Sequence, residues 1–494
     1  MSATTNTPPP LAHPGRFYIG GEWIAPATSR RIDVVDSLTE EVFLQVAEAR
    51  DEDMVRAVSA ARQAFDTGPW PRLTHAERAA YLRAMAQGIR GRADDICAYW
   101  PRQSGVVHEA ALAMTAGAAN AWDGYAALAA TFAFEEPVTP EYGAFALRVR
   151  EPVGVVGAIV PWNGPIGLIA HKVAPALLAG CTVVLKSAPE APAEGYVLAE
   201  IAESIGLPPG VLNVVTADRD VSELLVRDPG VDKITFTGST AAGRRIAALC
   251  GGRIARCTLE LGGKSAALVL DDYDVEAAAR VLAQAECINS GQVCSSLTRV
   301  VVPRHRHDAM LQALAAEFTG ITVGDPFDPA TRMGPLVAER QRDRVEDYIR
   351  AGLKDGATLA AGGGRPAGLD RGYYVEPTVF GNVDNSWRIA QEEIFGPVLT
   401  VIPADSDEDA VRIANESPYG LNATVFTDDV DKARLTARRL RTGTVGHNAF
   451  QSDFGIGFGG FKQSGIGREG GEEGLLAFLE TKAVILDGPP SGHR

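Results

Sequence analysis

The sequence predicts an α/β protein of two domains built on largely parallel sheets, with a small additional β element. Three observations predict it. The 494 residues exceed what one ordinary hydrophobic core organises. Short, nearly continuous apolar runs such as Val153 to Val160 and Thr182 to Leu185 suit strands buried on both faces. Helical patterns separate most of these runs, as successive parallel strands require.

Along the chain, Met1 to Gly15 is Thr/Pro-rich, without the basic and apolar regions of a secretory signal, and reads as a frayed tail. Asp51 to Thr67 predicts an amphipathic helix, because Met54, Val55, Val58, Ala61 and Phe65 recur at helical spacing and Asp51 can cap it. Helical patterns continue from His75 to Trp122, and Ala144 to Arg150 alternates like an exposed strand. Val153 to Val160, the rigid turn Pro161-Trp162-Asn163-Gly164-Pro165, the helical run Ile166 to Leu178 and Thr182 to Leu185 make a βαβ unit. Further buried strands are expected at Val211 to Val215, Lys233 to Phe236, Thr258 to Leu261 and Ala266 to Leu270. A second α/β set begins with a helix over Val275 to Ile288, a loop carrying Cys294 and a strand over Thr298 to Val302. It runs to the glycine-dense stretch Gly455 to Gly474, after which Leu475 to Leu486 reads as a helix and then a strand.

Composition narrows the function classes. With 46% hydrophobic and 22% charged residues the chain reads as a globular enzyme, and its longest apolar stretches fall well short of the ~18 residues of a membrane span. The net charge of −15 argues against a nucleic-acid or anionic-membrane partner, since such binding needs concentrated basic surface. Six sparse cysteines with no C-x-x-C pair fit a reducing, cytoplasmic setting. His305-Arg306-His307 lacks neighbouring ligands at a useful spacing, so no metal site is expected.

The chemistry lies in a few short runs. Cys294 sits in Asn289-Ser290-Gly291-Gln292-Val293-Cys294-Ser295, and Glu260 in Leu259-Glu260-Leu261-Gly262-Gly263-Lys264. A nucleophilic thiol with a carboxylate able to activate water is a two-step covalent apparatus, although a lone buried Cys is most often only a small hydrophobe. Asn163, at the end of a strand, can donate to a developing oxyanion or merely cap a turn. Phe236-Thr237-Gly238-Ser239 follows a strand and opens a helix, a weak signal for phosphate binding. Lys186, beyond the strand Thr182 to Leu185, can reach a ribose or phosphate, or simply snorkel to the surface. The G-x-G-x-x-G matches at Gly455 and Gly465 do not sit between a strand and a helix of a βαβ unit and are set aside.

Together these runs resemble the aldehyde dehydrogenase superfamily over nearly the whole chain. The resemblance is carried by Pro161-Trp162-Asn163, Phe236-Thr237-Gly238-Ser239, Glu260-Leu261-Gly262-Gly263-Lys264, Gly291-Gln292-Val293-Cys294, Glu392-Glu393-Ile394-Phe395-Gly396-Pro397 and Phe458-Gly459-Gly460-Phe461-Lys462. It implies a Rossmann-type NAD(P)-binding domain over 1–133 and 154–262 and a catalytic domain over 263–465. A bridging element over 134–153 and 466–494 is implied to pair subunits into a homodimer or homotetramer. By the same resemblance Cys294 is the nucleophile, Glu260 the general base, and Asn163 with the Cys294 amide the oxyanion hole. Lys172 and Glu469 match a proton relay, whose plainer reading is a paired surface Lys and Glu. Ile159, Pro161, Trp162, Lys186, Gly238, Ser239, Leu261, Glu393 and Phe395 match cofactor contacts. Gly164, Leu168, His171, Ile288, Val293, Ser295 and Phe458 are implied to line the substrate tunnel.

The implied reaction is NAD(P)-dependent oxidation of an aldehyde to its acid through a Cys294 thioester. Transfer of the acyl group to coenzyme A is the rival, and Glu260 counts against it because water needs a base far more than a thiol does. A non-catalytic protein on the same fold is a third reading, opposed by the joint presence of Cys294, Glu260 and Asn163. Four departures from the family pattern stand out. Pro189 replaces a common Glu, with Glu190 next to it; Gly164 replaces a common aromatic; and Thr216 to Glu223 lacks the glycines often found beside the adenine. His171 also stands where a Trp is frequent. NAD is expected over NADP because no Arg neighbours Lys186 in sequence and Glu190 can partly substitute.

Overall fold

The computed structural model describes residue 8 and residues 10–491. Two sheets organise the chain. The first has the order Gly465–Ile466, Arg256–Glu260, Lys233–Thr237, Val155–Ile159, Thr182–Ser187, Leu212–Thr216, Phe17–Ile19, Glu22–Ile24. Its five central strands are parallel, and Val155–Ile159 and Lys233–Thr237 are buried at every residue, which is why they read as unbroken apolar runs. From Val155–Ile159 the chain first winds outward through Thr182–Ser187 to Leu212–Thr216. It then returns to the other side through Lys233–Thr237. The strand order therefore reverses between Val155–Ile159 and Lys233–Thr237, and the carboxyl ends of these two strands bound the crevice where such sheets bind ligands.

The second sheet has the order Thr358–Ala361, Thr378–Gly381, Val398–Ala404, Arg299–Pro303, Ala266–Val269, Asn422–Phe426, Thr444–His447 and is parallel except for its first strand. Ala266–Val269 pairs with Arg299–Pro303 and Asn422–Phe426, so it belongs here and not with the first run of strands. The segment Leu261 to Ser265 crosses from one sheet to the other. A third, antiparallel sheet joins Glu135–Val138, Phe145–Pro152 and Leu479–Leu486, and leaves Tyr142 and Ile485 exposed at its edge.

Some expectations change. The tail reading falls in part on residues 1–7 and 9, which lie outside the described residues. Beyond them Leu11 is buried in the core and the Ala12 N–H donates to Glu200 at 2.8 Å, so this part is packed rather than frayed. The helix Asp51–Asp66 is preceded by Arg50, whose N–H donates to the Asp53 carboxylate at 2.9 Å; Asp53, not Asp51, secures its start. His307 is committed structurally, its ring nitrogen accepting the Asn382 N–H at 2.9 Å.

Candidate active site

The carboxyl ends of the first sheet face the amino ends of the second. Cys294 lies on the loop that leads into Arg299–Pro303, and this loop departs from ordinary backbone. After the helix Val275–Cys287, Asn289 and Ser290 both take left-handed φ values of 48° and 57°, a conformation that surrounding contacts must hold. Those contacts are present. The Ser290 hydroxyl donates to the Gly334 carbonyl at 2.8 Å. The buried Gln292 amide donates to the Ser104 carbonyl at 3.0 Å, while its oxygen accepts the Val337 N–H at 2.9 Å. Gly291 has φ +72°, and a Cβ there would lie 2.4 Å from the Gly396 carbonyl carbon, so the segment Glu392 to Pro397 packs directly under the nucleophile loop.

Asn163 lies just beyond the strand Val155–Ile159. Its amide donates to the Gln292 carbonyl at 2.9 Å, and its own carbonyl accepts from the Asn289 amide at 2.7 Å. The Asn163 turn and the Cys294 loop are thus tied reciprocally. Asn289, Ser290 and Gln292 hold the nucleophile loop in place, a role that the sequence alone does not assign to them. Their polar side chains inside an apolar context are the available signal.

Glu260 ends the strand Arg256–Glu260 and is 2% exposed, and neither carboxylate oxygen accepts a hydrogen bond among the described residues. Burial, reinforced by the charge of Glu469, raises its pKa well above the ordinary carboxyl value. The Cys294 thiol is likewise pushed up to about 12, first by burial and then by the charges of Glu393 and Glu260. Lys172 forms an ion pair with Glu469 in which both side chains are buried, so the surface-pair reading does not apply. The Thr235 hydroxyl adds a bond to Glu469 at 3.3 Å.

Cys294, Glu260 and Asn163 open into one cavity of about 730 Å³. Gly164, Leu168, His171, Val293, Ser295 and Phe458 line it as well. Ile288 does not. It sits in the short turn after the helix with its side chain exposed, because the left-handed residues after it swing the chain away before Val293. One wall is an aromatic ladder in which Phe458 stacks on Phe454 at 4.3 Å and Phe454 on His171 at 4.1 Å. Burial, then the Lys172 charge, lowers the His171 pKa to about 3, so this ring is neutral. A further wall, missed in the sequence, is the helix His108–Thr131, which presents Met114, Gly117, Ala121, Gly124, Tyr125 and Leu128 and adjoins the ladder where Tyr125 meets the His171 ring edge-on at 6.2 Å. Their spacing of three and four residues is a visible signal of one helical face.

The cofactor-type residues gather at the strand ends around the switch point. Ile159, Pro161 and Trp162 lie at the end of one strand, Gly238 and Ser239 at another, and Leu261 at a third. Ser239 caps the helix Thr240–Arg253, which has no acidic residue in its first turn, so its positive end is free for a phosphate. Lys186 is 8% exposed in the strand Thr182–Ser187, where burial lowers its pKa to about 8. Glu393 accepts the Gly263 N–H at 3.1 Å and keeps an oxygen for a hydroxyl; burial raises its pKa to about 7. Phe395, at φ 65°, meets the edge of Trp162 at 5.4 Å. A cation, a helix start and a carboxylate acceptor around one crevice are a donor set that fits a dinucleotide. Among the described residues no cluster of three His, Cys, Asp or Glu could hold a metal, and no helix is long and apolar enough to cross a membrane.

A doubly wound sheet whose strand ends meet a thiol and an unpartnered carboxyl in one cavity is the architecture of an NAD-linked oxidoreductase. The chain belongs to the aldehyde dehydrogenase family, whose model matches residues 23–484. It is 45% identical to geranial dehydrogenase of Castellaniella defragrans over 473 residues, covering 96% of this chain and 98% of that one. It is 41% identical to a 3-succinoylsemialdehyde-pyridine dehydrogenase of a Pseudomonas species, covering 95% and 98%. Among solved structures, a Mycobacterium tuberculosis aldehyde dehydrogenase complexed with NAD+ superposes with TM-score 0.94 at 45% identity, over 97% of this chain and 99% of that one. A Pseudomonas syringae aldehyde dehydrogenase variant complexed with NAD+ and octanal does so with TM-score 0.94 at 39% identity, over 98% and 100%.

Proposed function

We propose that this protein oxidises a hydrophobic aldehyde to the carboxylic acid, with NAD as hydride acceptor, and releases the acid by hydrolysis. The observation that carries this is the meeting of Cys294, Glu260 and Asn163 in one cavity at the ends of the cofactor-type strands. The relatives that bind NAD+ support the choice of cofactor, and geranial dehydrogenase and the octanal complex support the substrate class. NAD, when bound, would supply the hydride acceptor, and Lys186, Ser239, Glu393 and the residues beside Trp162 would hold its different parts.

The chain's own groups do the rest. Cys294 reacts as the thiolate, its thiol proton leaving to solvent; the sulfur adds to the carbonyl carbon, and the amide of Asn163 with the Cys294 N–H steadies the oxyanion, each donor contributing about 3 kcal/mol. Loss of hydride from this adduct leaves a Cys294 thioester. Glu260, whose raised pKa makes it a stronger base than an ordinary carboxylate, draws a proton from water that attacks the thioester. Lys172 and Glu469, beside Glu260, pass that proton onward. The first sheet is read as the cofactor domain (residues 1–133 and 154–262), the second as the catalytic domain (263–465) and the antiparallel sheet as the bridge of a homodimer or homotetramer (134–153 and 466–494); Gly465–Ile466, at the last boundary, pairs into the first sheet, and residues 1–7, 9 and 492–494 lie outside the described residues. The six free thiols suit a cytoplasmic setting.

The test separates the two half-reactions. Cys294→Ala is expected to abolish NADH formation. Glu260→Gln is expected to give one turnover of NADH per site and then stall with a mass increase equal to the acyl group. Steady turnover at near wild-type rate in Glu260→Gln rules out Glu260 as the deacylation base, and a wild type that turns over only when coenzyme A is present, with acyl-coenzyme A and not the free acid as product, identifies the acyl-transferring rival.

A further inference from the structure

The strand Thr182–Ser187 is the second strand of the βαβ unit, and the position beyond its end is where such units read the adenosine ribose. There a carboxylate accepts a 2′-hydroxyl, and a nearby Arg takes a 2′-phosphate. In this chain the strand runs into a tight turn, Ala188-Pro189-Glu190-Ala191, closed by the Ala191 N–H donating to the Ala188 carbonyl at 3.2 Å. Pro189 occupies the turn position its fixed φ favours, which leaves Glu190 as the acid at the tip. Glu190 is not free. Its carboxylate forms an ion pair with Arg340, which comes from the first turn of the helix Glu339–Asp355 in the other large sheet's domain, 150 residues away in sequence. The Glu190 side chain is 21% exposed and that of Arg340 64%, so the guanidinium keeps donors open to solution. Glu190 follows Lys186 by four residues through this turn, and its charge and that of Asp218 partly offset the burial that lowers the Lys186 pKa.

We propose that the Glu190–Arg340 pair reads the 2′ position of the cofactor's adenosine ribose, so that the protein accepts NADP as well as NAD. The Glu190 carboxylate accepts a 2′-hydroxyl while paired to Arg340. For a 2′-phosphate, the guanidinium rotates onto the phosphate and Lys186 adds a second cation. Arg340 also neutralises the carboxylate that would otherwise repel the phosphate. The sequence hides this arrangement because no Arg neighbours Lys186 along the chain; packing of the two domains supplies one. The proposal rests on the cofactor reading above, and its test does not depend on catalysis.

The experiment is a fluorescence titration of NADH and NADPH, without aldehyde, into the full-length wild type, Arg340→Ala and Glu190→Gln. Wild type is expected to bind both. Arg340→Ala is expected to weaken NADPH by about tenfold or more while NADH changes by less than about threefold. Glu190→Gln is expected to weaken NADH by about fivefold and to tighten NADPH. A ratio of the two dissociation constants that stays within about twofold of wild type in both variants overturns the proposal, and equal losses for both ligands have the same meaning, since a purely structural link between domains would act on both alike. Failure of the wild type to bind either dinucleotide overturns the cofactor reading and this proposal together, whereas binding of NADH alone overturns only the proposal.

Discussion

The backbone carbonyl of Cys294 lies where the side chain of any residue other than glycine at position 263 would begin: a Cβ on Gly263 would sit 2.5 Å from that oxygen. The neighbouring Gly262 makes the same kind of room for Glu393, whose Oε2 would lie 2.3 Å from a Cβ. The Gly262-Gly263 pair thus lets the crossing between the two sheets pass beneath both the nucleophile and a cofactor-type carboxylate. Gly263→Ala must displace backbone, since a carbonyl cannot rotate away as a side chain can. A shift of about 1 Å at a reacting atom costs on the order of a hundredfold, so kcat is expected to fall by about that factor. Gly262→Ala, which meets only a side chain, is expected to act mainly on cofactor binding. Steady-state kinetics of the two variants check this.

The buried Lys172–Glu469 pair is expected to be structural and functional at once. Lys172→Met leaves a buried carboxylate without its partner, an expected loss of about 3–5 kcal/mol in denaturant unfolding. The double variant Lys172→Met/Glu469→Gln is expected to recover much of the stability but not kcat. Recovery of both would mean that the pair serves stability alone.

The pH dependence rests on two raised pKa values. A thiol pushed up to about 12 is protonated at neutral pH, and only the thiolate alkylates. Inactivation of the cofactor-free protein by iodoacetamide is therefore expected to quicken about tenfold per pH unit from about pH 7 to 10, without a plateau. Glu260, raised in the same direction, gains its base form only as pH rises, so turnover is also expected to increase into the alkaline range. An alkylation plateau below pH 8 would contradict the raised pKa of the Cys294 thiol.

Substrate size is the fourth expectation. A Cβ at Gly164 meets only Leu168, at 3.7 Å, so the position tolerates a side chain and at present leaves the cavity open. The aromatic ladder Phe458, Phe454 and His171 offers apolar contact that a two-carbon aldehyde cannot use. Hexanal and benzaldehyde are expected to exceed acetaldehyde in kcat/KM, and Gly164→Phe, adding about 150–250 Å² of ring surface, to shift the order back toward acetaldehyde. An unchanged ranking in the variant would show that Gly164 does not set the width.

Much of the site was legible because its requirements are local. Cys294, Glu260 and Asn163 each stand in a short run whose neighbours answer to the backbone around them: Gly291 and Gly263 where chains approach closely, Pro161 where a strand ends. The parallel sheets were legible for a similar reason, since strands buried on both faces must be apolar throughout. The hairpin Arg31–Val35 with Val42–Ala47 and the edge strand Glu22–Ile24 went unread, being short and only partly buried, and Phe17–Ile19, though fully buried, went unread because it is three residues long.

By itself, then, the sequence determined the fold class and the short runs that carry Cys294, Glu260 and Asn163, because these depend on residues within a few positions of one another. Only the tertiary structure decided what packs across the gaps. It brought the helix His108–Thr131 to the cavity beside the aromatic ladder, turned Ile288 out of the cavity, buried Lys172 against Glu469 across 297 residues, and brought Arg340 to Glu190. Each of these is a meeting of side chains from distant segments, set by how two domains and their helices pack, and no spacing along the chain encodes it.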